Sequence, residues 1–555
     1  MCGIHCVLSI DNTSNTEQIP KDLLLRRGPD SCREHSVTFK NALKQSLTIS
    51  FISTVLSLRG KDIVTQPLVD EASGSTLCWN GEAWSINGDA VSGNDSLAVF
   101  QLLLQASNTT KGLPMPHAVA AFCRALMLLR GPYAFVYYDA SHRLLMYGRD
   151  CLGRRSLVQS HDSTGSLILS SICGYPTSCT WTEVEADGVY VIGLSGAADM
   201  NFFDTDMGIY PFPSLNKELP DQDEPANIAT AVDALEEVLR QSLNTRVTDI
   251  RGHTQPSASV DVDGSLHAEI AILFSGGLDC TVLARMVHDI LPLSQSIDLL
   301  NVAFENPRIH GSLESDSRRS KIPYDECPDR ITARKSYHEL QLVCTGRRWN
   351  LVEINIPYTE TVAHRGIVRA LMHPHNMEMD LSIAYALYFA SRGIGVVSGG
   401  VDNVSYASAA RVLLSGLGAD ELFGGYQRHA TAFARHGFQG LVDELELDIN
   451  RLGKRNLGRD DRVMSHWGKE VRFPYLDEDL LAWALAAPVW QKCGFGSQPD
   501  LSGATLEPGK KVLRLLAWKL GMQEVAFEKK RAIQFGARTA KMEGGKVKGT
   551  QLLSS

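Results

Sequence analysis

The sequence has no Cys-x-x-Cys pair among its 12 cysteines, which argues against a zinc ribbon. Its first residues, MCGIHCVLSIDNTSN, lack a basic start and a long apolar run, so no signal peptide is read there. No uninterrupted apolar stretch is long enough to span a bilayer. Positive charge is not in excess: the formal net charge is −9, a poor match for nucleic-acid or membrane-surface binding. No internal repeat is visible. Sparse cysteines and a missing export signal make a reducing, cytoplasmic compartment the expectation.

What is present is a long, ordinary globular composition. The chain has 555 residues, 44% hydrophobic and 21% charged. Chains beyond roughly 250–300 residues split into domains, so two or three are expected. Residues up to about 200 read as short apolar runs between turns: 47–58, 77–79, 132–138, 143–147, 167–170 and 188–192. Their lengths and β-branched or aromatic content suit strands, and 101–106 and 118–129 suit helices, giving an α+β half. The proline-bearing stretch 211–225 reads as a linker. From Asn227 the period changes: Ala231, Leu235, Val238, Leu239 and Leu243 recur at helical spacing. Strand 268–274 then leads into helix 279–288, and helix 381–392 precedes strand 412–414. This alternation implies an α/β half with a mostly parallel sheet. Two polar stretches, 251–266 and 305–330, read as surface insertions, and the tail from 541 as frayed.

Two groups of residues carry chemistry. Cys2 follows the initiator methionine and precedes Gly3. Removal of Met1 leaves a free amine on the residue that bears the thiol. An α-amino group titrates near about 7.7–8.0 and a thiol near about 8.5, so one can take the other's proton at neutral pH. The second group is Phe274-Ser-Gly-Gly-Leu-Asp279, which follows an apolar run and opens a helix. It lacks the Gly-Lys-Ser/Thr ending of a Walker A loop. Its glycines let backbone approach a phosphate, and the helix start favours negative charge. Asp279 is suited to hold a magnesium ion that bridges phosphates.

Around Cys2, the segments Arg27-Gly-Pro-Asp30, Arg59, Asn80-Gly81-Glu82, Asn94-Asp95-Ser96, 131–136 and 149–153 follow in order. Together they resemble the glutaminase domain of class II amidotransferases, as arranged in asparagine synthetases. The resemblance implies an Ntn-hydrolase-like four-layer α+β domain over 2–210. It makes Cys2 the nucleophile and Asn80 and Gly81 the oxyanion donors. Arg59 becomes the partner of the glutamine α-carboxylate, with Glu82 and Asp95 accepting from its amine and amide. One departure is Arg26, where the family often has histidine.

The string Leu414-Ser-Gly-Leu-Gly-Ala-Asp420-Glu-Leu-Phe-Gly-Gly-Tyr426, with Asp461-Arg462 and 470–477 beyond it, resembles the asparagine synthetase family. It implies an adenine-nucleotide α-hydrolase-like α/β synthetase domain over 227–540, with 541–555 a disordered tail. ATP is then expected at Leu273, Ser275, Gly276, Gly277, Asp279, Val302, Ser415 and Gly416. Mg²⁺ is expected at Asp279 and Asp420. The implied reaction forms an aspartyl-AMP intermediate from aspartate and ATP, and ammonia released at Cys2 converts it to asparagine. Glutamine, aspartate and ATP are the implied partners, with no nucleic acid or membrane, and a homodimer is left open.

The family pattern is broken in three places. Leu417 stands where the family has a glutamate thought to act as general base. Cys280 replaces a serine. In the C-terminal Arg-x-Lys-x-x-Phe segment, aligned on Phe535, Lys530 takes the arginine position and Ala532 the lysine position. These changes, with Thr65-Gln-Pro-Leu68 and 456–462, resemble the divergent branch called asparagine synthetase domain-containing proteins. Two other readings therefore stand beside the first: a different ATP-dependent amide ligase, and a non-catalytic binding protein that keeps the fold.

Overall fold

A computed structural model gives the fold. It describes residues 2–10, 19–174, 180–196, 200–201, 212–220, 228–251, 268–310, 323–398, 403–454, 456–496, 506–542 and 550–553. Apart from Arg251, the polar stretch 251–266 lies outside the described residues, as do 311–322, 221–227, 543–549 and 554–555. The chain forms two compact units, each discontinuous in sequence. The first comprises 1–211, 366–376 and 452–470; the second comprises 212–365, 377–451 and 471–555.

In the first unit, two six-stranded sheets face each other. One carries, in order, Thr182–Glu183, Val158–His161, Leu167–Ser170, Gly3–Ile10, Ser46–Val55 and Ser31–Lys40. The other carries Met200–Asn201, Val189–Gly193, Leu144–Arg149, Tyr133–Asp139, Thr76–Gly81 and Leu68–Val69. Strand Tyr133–Asp139 is buried along its whole length. Because side chains alternate, Ala134, Val136 and Tyr138 pack with Ile4, Cys6 and Phe51 in the core between the sheets. Tyr133, Phe135 and Tyr137 point the other way, into a core closed by Val99, Phe100 and Leu103 of helix Asp95–Thr109 and Phe122 and Leu126 of helix Met115–Met127. Asn94 caps the first of these helices, its side chain accepting from Leu97 N at 3.3 Å. This frees the Asp95 carboxylate to face inward.

The second unit is built on a seven-stranded sheet in the order Asn403–Ala407, Ile394–Ser398, Trp349–Ile356, Ile297–Phe304, Ile270–Leu273, Val412–Leu414 and Glu470–Arg472. Its centre is parallel, with Ile270–Leu273 paired in parallel to Ile297–Phe304 on one side and Val412–Leu414 on the other. The mostly parallel sheet expected from the sequence has one antiparallel edge. There Ile394–Ser398 runs antiparallel to Trp349–Ile356, and Asn403–Ala407 antiparallel to it in turn. These edge strands are largely exposed, so no helical crossover is needed to cover them. The expected insertion 305–330 is also narrower than read. Asn306, Cys327, Asp329 and Arg330 are buried, and Arg330 bonds Asn301 and Glu353. In the tail, Gln551 O accepts from Glu378 N at 3.0 Å.

Strand order reverses between Ile270–Leu273 and Val412–Leu414. A crevice opens beyond the carboxyl ends of such strands, and ligands of open α/β sheets bind there. The loops that follow these two strands are 274–279 and 415–420.

Candidate active sites

The first site is assembled where two sheets meet. Cys2 precedes strand Gly3–Ile10 and is 8% exposed. Its N–H donates to Asn80 Oδ1 at 3.0 Å. That bond fixes the orientation of the Asn80 amide. Asn80 is 0% exposed, and its Nδ2 has no hydrogen-bond partner. A buried donor left unmade costs about 1–3 kcal/mol, so this one is suited to a bound acceptor. Gly81 follows at the strand end, opposite Tyr133.

Arg59, Glu82 and Asp95 converge on the next residue, Ala83. Arg59 Nη1 donates to Ala83 O at 2.9 Å and Nη2 donates to Val91 O. Ala83 N donates to Asp95 Oδ2 at 2.9 Å, and Trp79 Nε1 donates to the same oxygen at 3.1 Å. Glu82 Oε2 lies 3.8 Å from Arg59 Nη1. Burial pushes the Asp95 carboxyl up, partly opposed by the Ala83 N–H and Arg59. Burial likewise pushes the Cys2 thiol up, and the positive amino terminus opposes it. Of the six residues expected from the sequence in this half, Cys2, Arg59, Asn80, Glu82 and Asp95 are buried, and Gly81 lies half-buried beside Asn80.

Two further residues touch the nucleophile, and sequence reasoning gave neither a role. Gln66 Nε2 donates to Cys2 Sγ at 3.9 Å while its Oε1 accepts from Trp79 N at 2.7 Å. Arg27 Nε donates to Cys2 O at 3.3 Å. Arg27 is completely buried, and its Nη2 pairs with the equally buried Asp461 Oδ2 at 2.8 Å. Asp461 also accepts from Ser156 N at 3.1 Å. The signals were the motifs that contain them, which carry no information on distant partners.

The second site lies in the crevice of the second unit. Gly276 has φ +78°, and a Cβ on it would sit 2.4 Å from Ala333 Cα, so only glycine fits this turn. Ser336 Oγ donates to Gly276 O at 2.6 Å, and Gly277 N donates to Ser275 Oγ at 3.3 Å. Gly416 brings the second loop against the first, since its Cβ would lie 2.8 Å from Asp279 Cβ. Leu417 N donates to Ser415 Oγ at 3.3 Å. Leu273 and Val302 lie on the neighbouring parallel strands, with Asn301 Nδ2 donating to Phe274 O at 2.9 Å.

Asp279 and Asp420 share one cation. Lys510 Nζ lies 2.6 Å from Asp279 Oδ2 and 2.6 Å from Asp420 Oδ1. Lys530 Nζ pairs with Asp420 Oδ2. Gly425 makes room: a Cβ there would sit 2.1 Å from Asp420 Oδ1 and 2.2 Å from Lys510 Cε. Burial alone would raise Asp420, but Lys510 and Lys530 overcome it and hold the carboxyl well below the usual range. Two carboxylates converging on one positive centre fit Mg²⁺, which is commonly held by one or two carboxylates plus phosphates and water. No group of three or more His, Cys, Asp or Glu suited to a metal occurs among the described residues, so phosphate and water would complete the shell.

Two neighbours extend this cluster. Arg531 Nη1 lies 3.6 Å from Asp329 Oδ1 and donates to Thr332 Oγ1 at 3.2 Å. Burial raises Asp329 to about 7. Lys529, by contrast, is exposed and lies 3.6 Å from Glu507. Lys530 and Arg531 thus supply the inward charges at the segment where Ala532 replaces the family lysine.

A family model for asparagine synthase matches residues 401–443 and 439–550. Asparagine synthetase domain-containing protein 1 of Mus musculus is 33% identical over 642 residues, covering 99% of this chain and 98% of its own. The protein of the same name from Homo sapiens is 32% identical, covering 98% and 96%. Asparagine synthetase B [glutamine-hydrolyzing] of Escherichia coli is 23% identical over 373 residues, covering 66% of this chain and 56% of its own.

Proposed function

The chain belongs to the asparagine synthase family, and on that footing we propose that it is a glutamine-dependent, ATP-using amidotransferase of the asparagine synthetase type. The observation that carries the glutaminase half is the unpartnered, buried Asn80 Nδ2 beside Cys2. In this reading the Cys2 thiolate attacks the side-chain carbonyl of glutamine, and the C–N bond breaks. Ammonia leaves with the proton held by the terminal amine, and water then cleaves the thioester to release glutamate and restore the thiol. Asn80 Nδ2 and the Gly81 N–H donate to the oxyanion that develops. Arg59 takes the α-carboxylate, while Glu82 and Asp95 receive the amine and amide. The amine exposed by removal of Met1 accepts the thiol proton, which offsets the burial that holds the thiol protonated.

In the second unit, backbone N–H groups of Ser275, Gly276 and Gly277 and the start of helix Leu278–Ile290 receive phosphate oxygens. Ser415 and Gly416 face the nucleotide from the other loop, and Leu273 and Val302 line it. Asp279 and Asp420 would hold Mg²⁺. Bound there, the ion neutralises phosphate charge. Lys510 and Lys530 contribute positive charge to the same phosphates once released from the carboxylates. Aspartate attacks the α-phosphate of ATP to give aspartyl-AMP and pyrophosphate; ammonia then displaces AMP to give the amide.

Leu417 supports a second reading, in which the acceptor is a carboxylate other than aspartate. Leucine accepts no proton, and a general base is typically worth about 10²–10⁴-fold. Glu421 is the acid that follows Asp420; burial raises its carboxyl, and Tyr426 Oη donates to it at 2.5 Å. No helix among the described residues is long and apolar enough to cross a membrane.

Glutamate release from glutamine tests the first half. Cys2→Ala should abolish it, and Asn80→Ala should lower kcat about 10²–10³-fold. Full activity in Cys2→Ala would refute the assignment.

A further inference from the structure

The reaction assigned to Cys2 leaves one neighbour of its sulfur without a step. Gln66 lies in the segment Thr65-Gln66-Pro67-Leu68 and is 2% exposed. An amide taken out of water must have both ends paired or lose the bonds it made there. Its oxygen is paired where a strand runs out. Leu68–Val69 pairs with Leu77 and Thr76, and Trp79 N lies beyond that pairing. Gln66 Oε1 accepts from Trp79 N at 2.7 Å.

That bond decides where the other end points. Turning the amide over would set its NH₂ against the Trp79 N–H, donor facing donor, so the nitrogen belongs on the far side. There Nε2 donates to Cys2 Sγ at 3.9 Å. The separation is long while the thiol is neutral. Catalytic hydrogen bonds are often long before substrate binds and tighten as charge develops. A thiolate is also a stronger acceptor than a thiol.

The surroundings of the sulfur call for such a donor. Burial opposes the thiolate, and the Asp95 and Glu470 carboxylates and the nearby Cys78 act in the same direction. The positive amino terminus and the Leu56 backbone act against them. Arg27 directs its Nε to the Cys2 carbonyl, not to the sulfur. The terminal amine must be neutral to accept the thiol proton, so it supplies no positive charge before the transfer. A neutral N–H donor does not have this conflict.

We propose that Gln66 is a catalytic residue of the glutaminase site: its Nε2–H stabilises the Cys2 thiolate, and its Oε1, held by Trp79 N, keeps the donor aimed. The S–H bond breaks, the proton passes to the terminal amine, and the electron pair stays on sulfur. Gln66 gives and takes no proton. The proposal rests on the reading of Cys2 as the glutamine nucleophile.

Two substitutions separate the donor from the support given to Trp79. Gln66→Glu keeps the acceptor and loses the donor. Gln66→Met loses both and adds no charge. Alkylation of Cys2 by iodoacetamide is followed against pH in the full chain. It is read by fragmentation of the N-terminal peptide, which distinguishes Cys2 from Cys6. The midpoint of the profile is expected to rise by about one pH unit in both variants, an about tenfold loss of thiolate at a fixed pH below it. In glutamate release, kcat should fall about tenfold with KM within about twofold, because Gln66 touches the sulfur and not the substrate. A wild-type midpoint in Gln66→Met overturns the proposal, even where its melting temperature falls, since Gln66 then only supports Trp79. A rise confined to Gln66→Glu reports the added charge and overturns it too. Gln66→Leu carries the uncharged arm if Gln66→Met does not fold. Raised midpoints in both variants, with no glutamate released by the wild type, would sink the glutaminase reading and leave the hold of Gln66 on the thiolate. Glutamate release by the wild type, with kcat unmoved in both variants, would do the reverse.

Discussion

Arg27 shows how a single side chain can serve both structure and nucleophile. Its guanidinium holds the Cys2 carbonyl with one N–H and the buried Asp461 with another. Breaking a buried pair by removing one partner leaves an uncompensated charge. Arg27→Met is expected to cost about 3–5 kcal/mol in denaturant unfolding of the full chain and to lower glutaminase activity with it. Asp329 gives a pH signature. Its carboxyl is raised to about 7 in the folded chain, against about 3.9 unfolded. As pH rises through this window the unfolded chain gives up the proton first, so stability falls until the folded pKa is passed. The unfolding midpoint should thus drop between about pH 4 and about pH 7, and Asp329→Asn should shrink that drop. An equal drop in both proteins would contradict the assignment. At this scale much was legible. Cys2, Asn80, Gly81 and Glu82 sit in short contiguous motifs with evident chemistry. Gln66 and Arg27 were not legible as contacts of Cys2, because their roles depend on partners 64 and 25 residues away.

Among elements, the two loops at the strand-order reversal are the most constrained. Gly425 gives way to Asp420 and Lys510 on the same side. Gly425→Ala is expected to abolish ATP-dependent pyrophosphate release while leaving glutamate release within about threefold, since the substitution leaves the first unit's residues untouched. Lys510 is the stand-in cation between Asp279 and Asp420. Lys510→Met removes the cation between the Asp279 and Asp420 carboxylates, so its melting temperature should fall. Added Mg²⁺ should restore more of it than it adds to the wild type. An equal Mg²⁺ response in both proteins would argue against a shared cation site. The loops were legible because glycine, serine and aspartate at fixed offsets have few other uses. The start of helix Glu378–Arg392 was not: the apolar period begins at Leu381, so Glu378 fell outside the expected 381–392. Strand Ser31–Lys40 was missed as well, because most of its residues are exposed, none is fully buried, and its sequence, SCREHSVTFK, lacks an apolar run.

For the whole molecule, composition and motif order were enough to separate an α+β half from an α/β half. They did not reveal that 366–376 and 452–470 belong to the compact unit that contains Cys2. Those segments carry Asp461 and Arg462, whose buried partners Arg27, Ser156 and Glu183 all come from the first 200 residues. Long-range ion pairs of this kind leave no local pattern. The central claim is that one chain hydrolyses glutamine at Cys2 and uses the ammonia in an ATP-dependent amide synthesis. The direct measurement is the stoichiometry of glutamate, AMP and pyrophosphate formed by the purified full chain with glutamine, aspartate, ATP and Mg²⁺, alongside Cys2→Ala supplied with glutamine or ammonium. The account predicts the three products in equal amounts from the wild type. For Cys2→Ala it predicts amide synthesis with ammonium alone. Glutamate formed with neither AMP nor pyrophosphate, whichever carboxylate acceptor is offered, would contradict it.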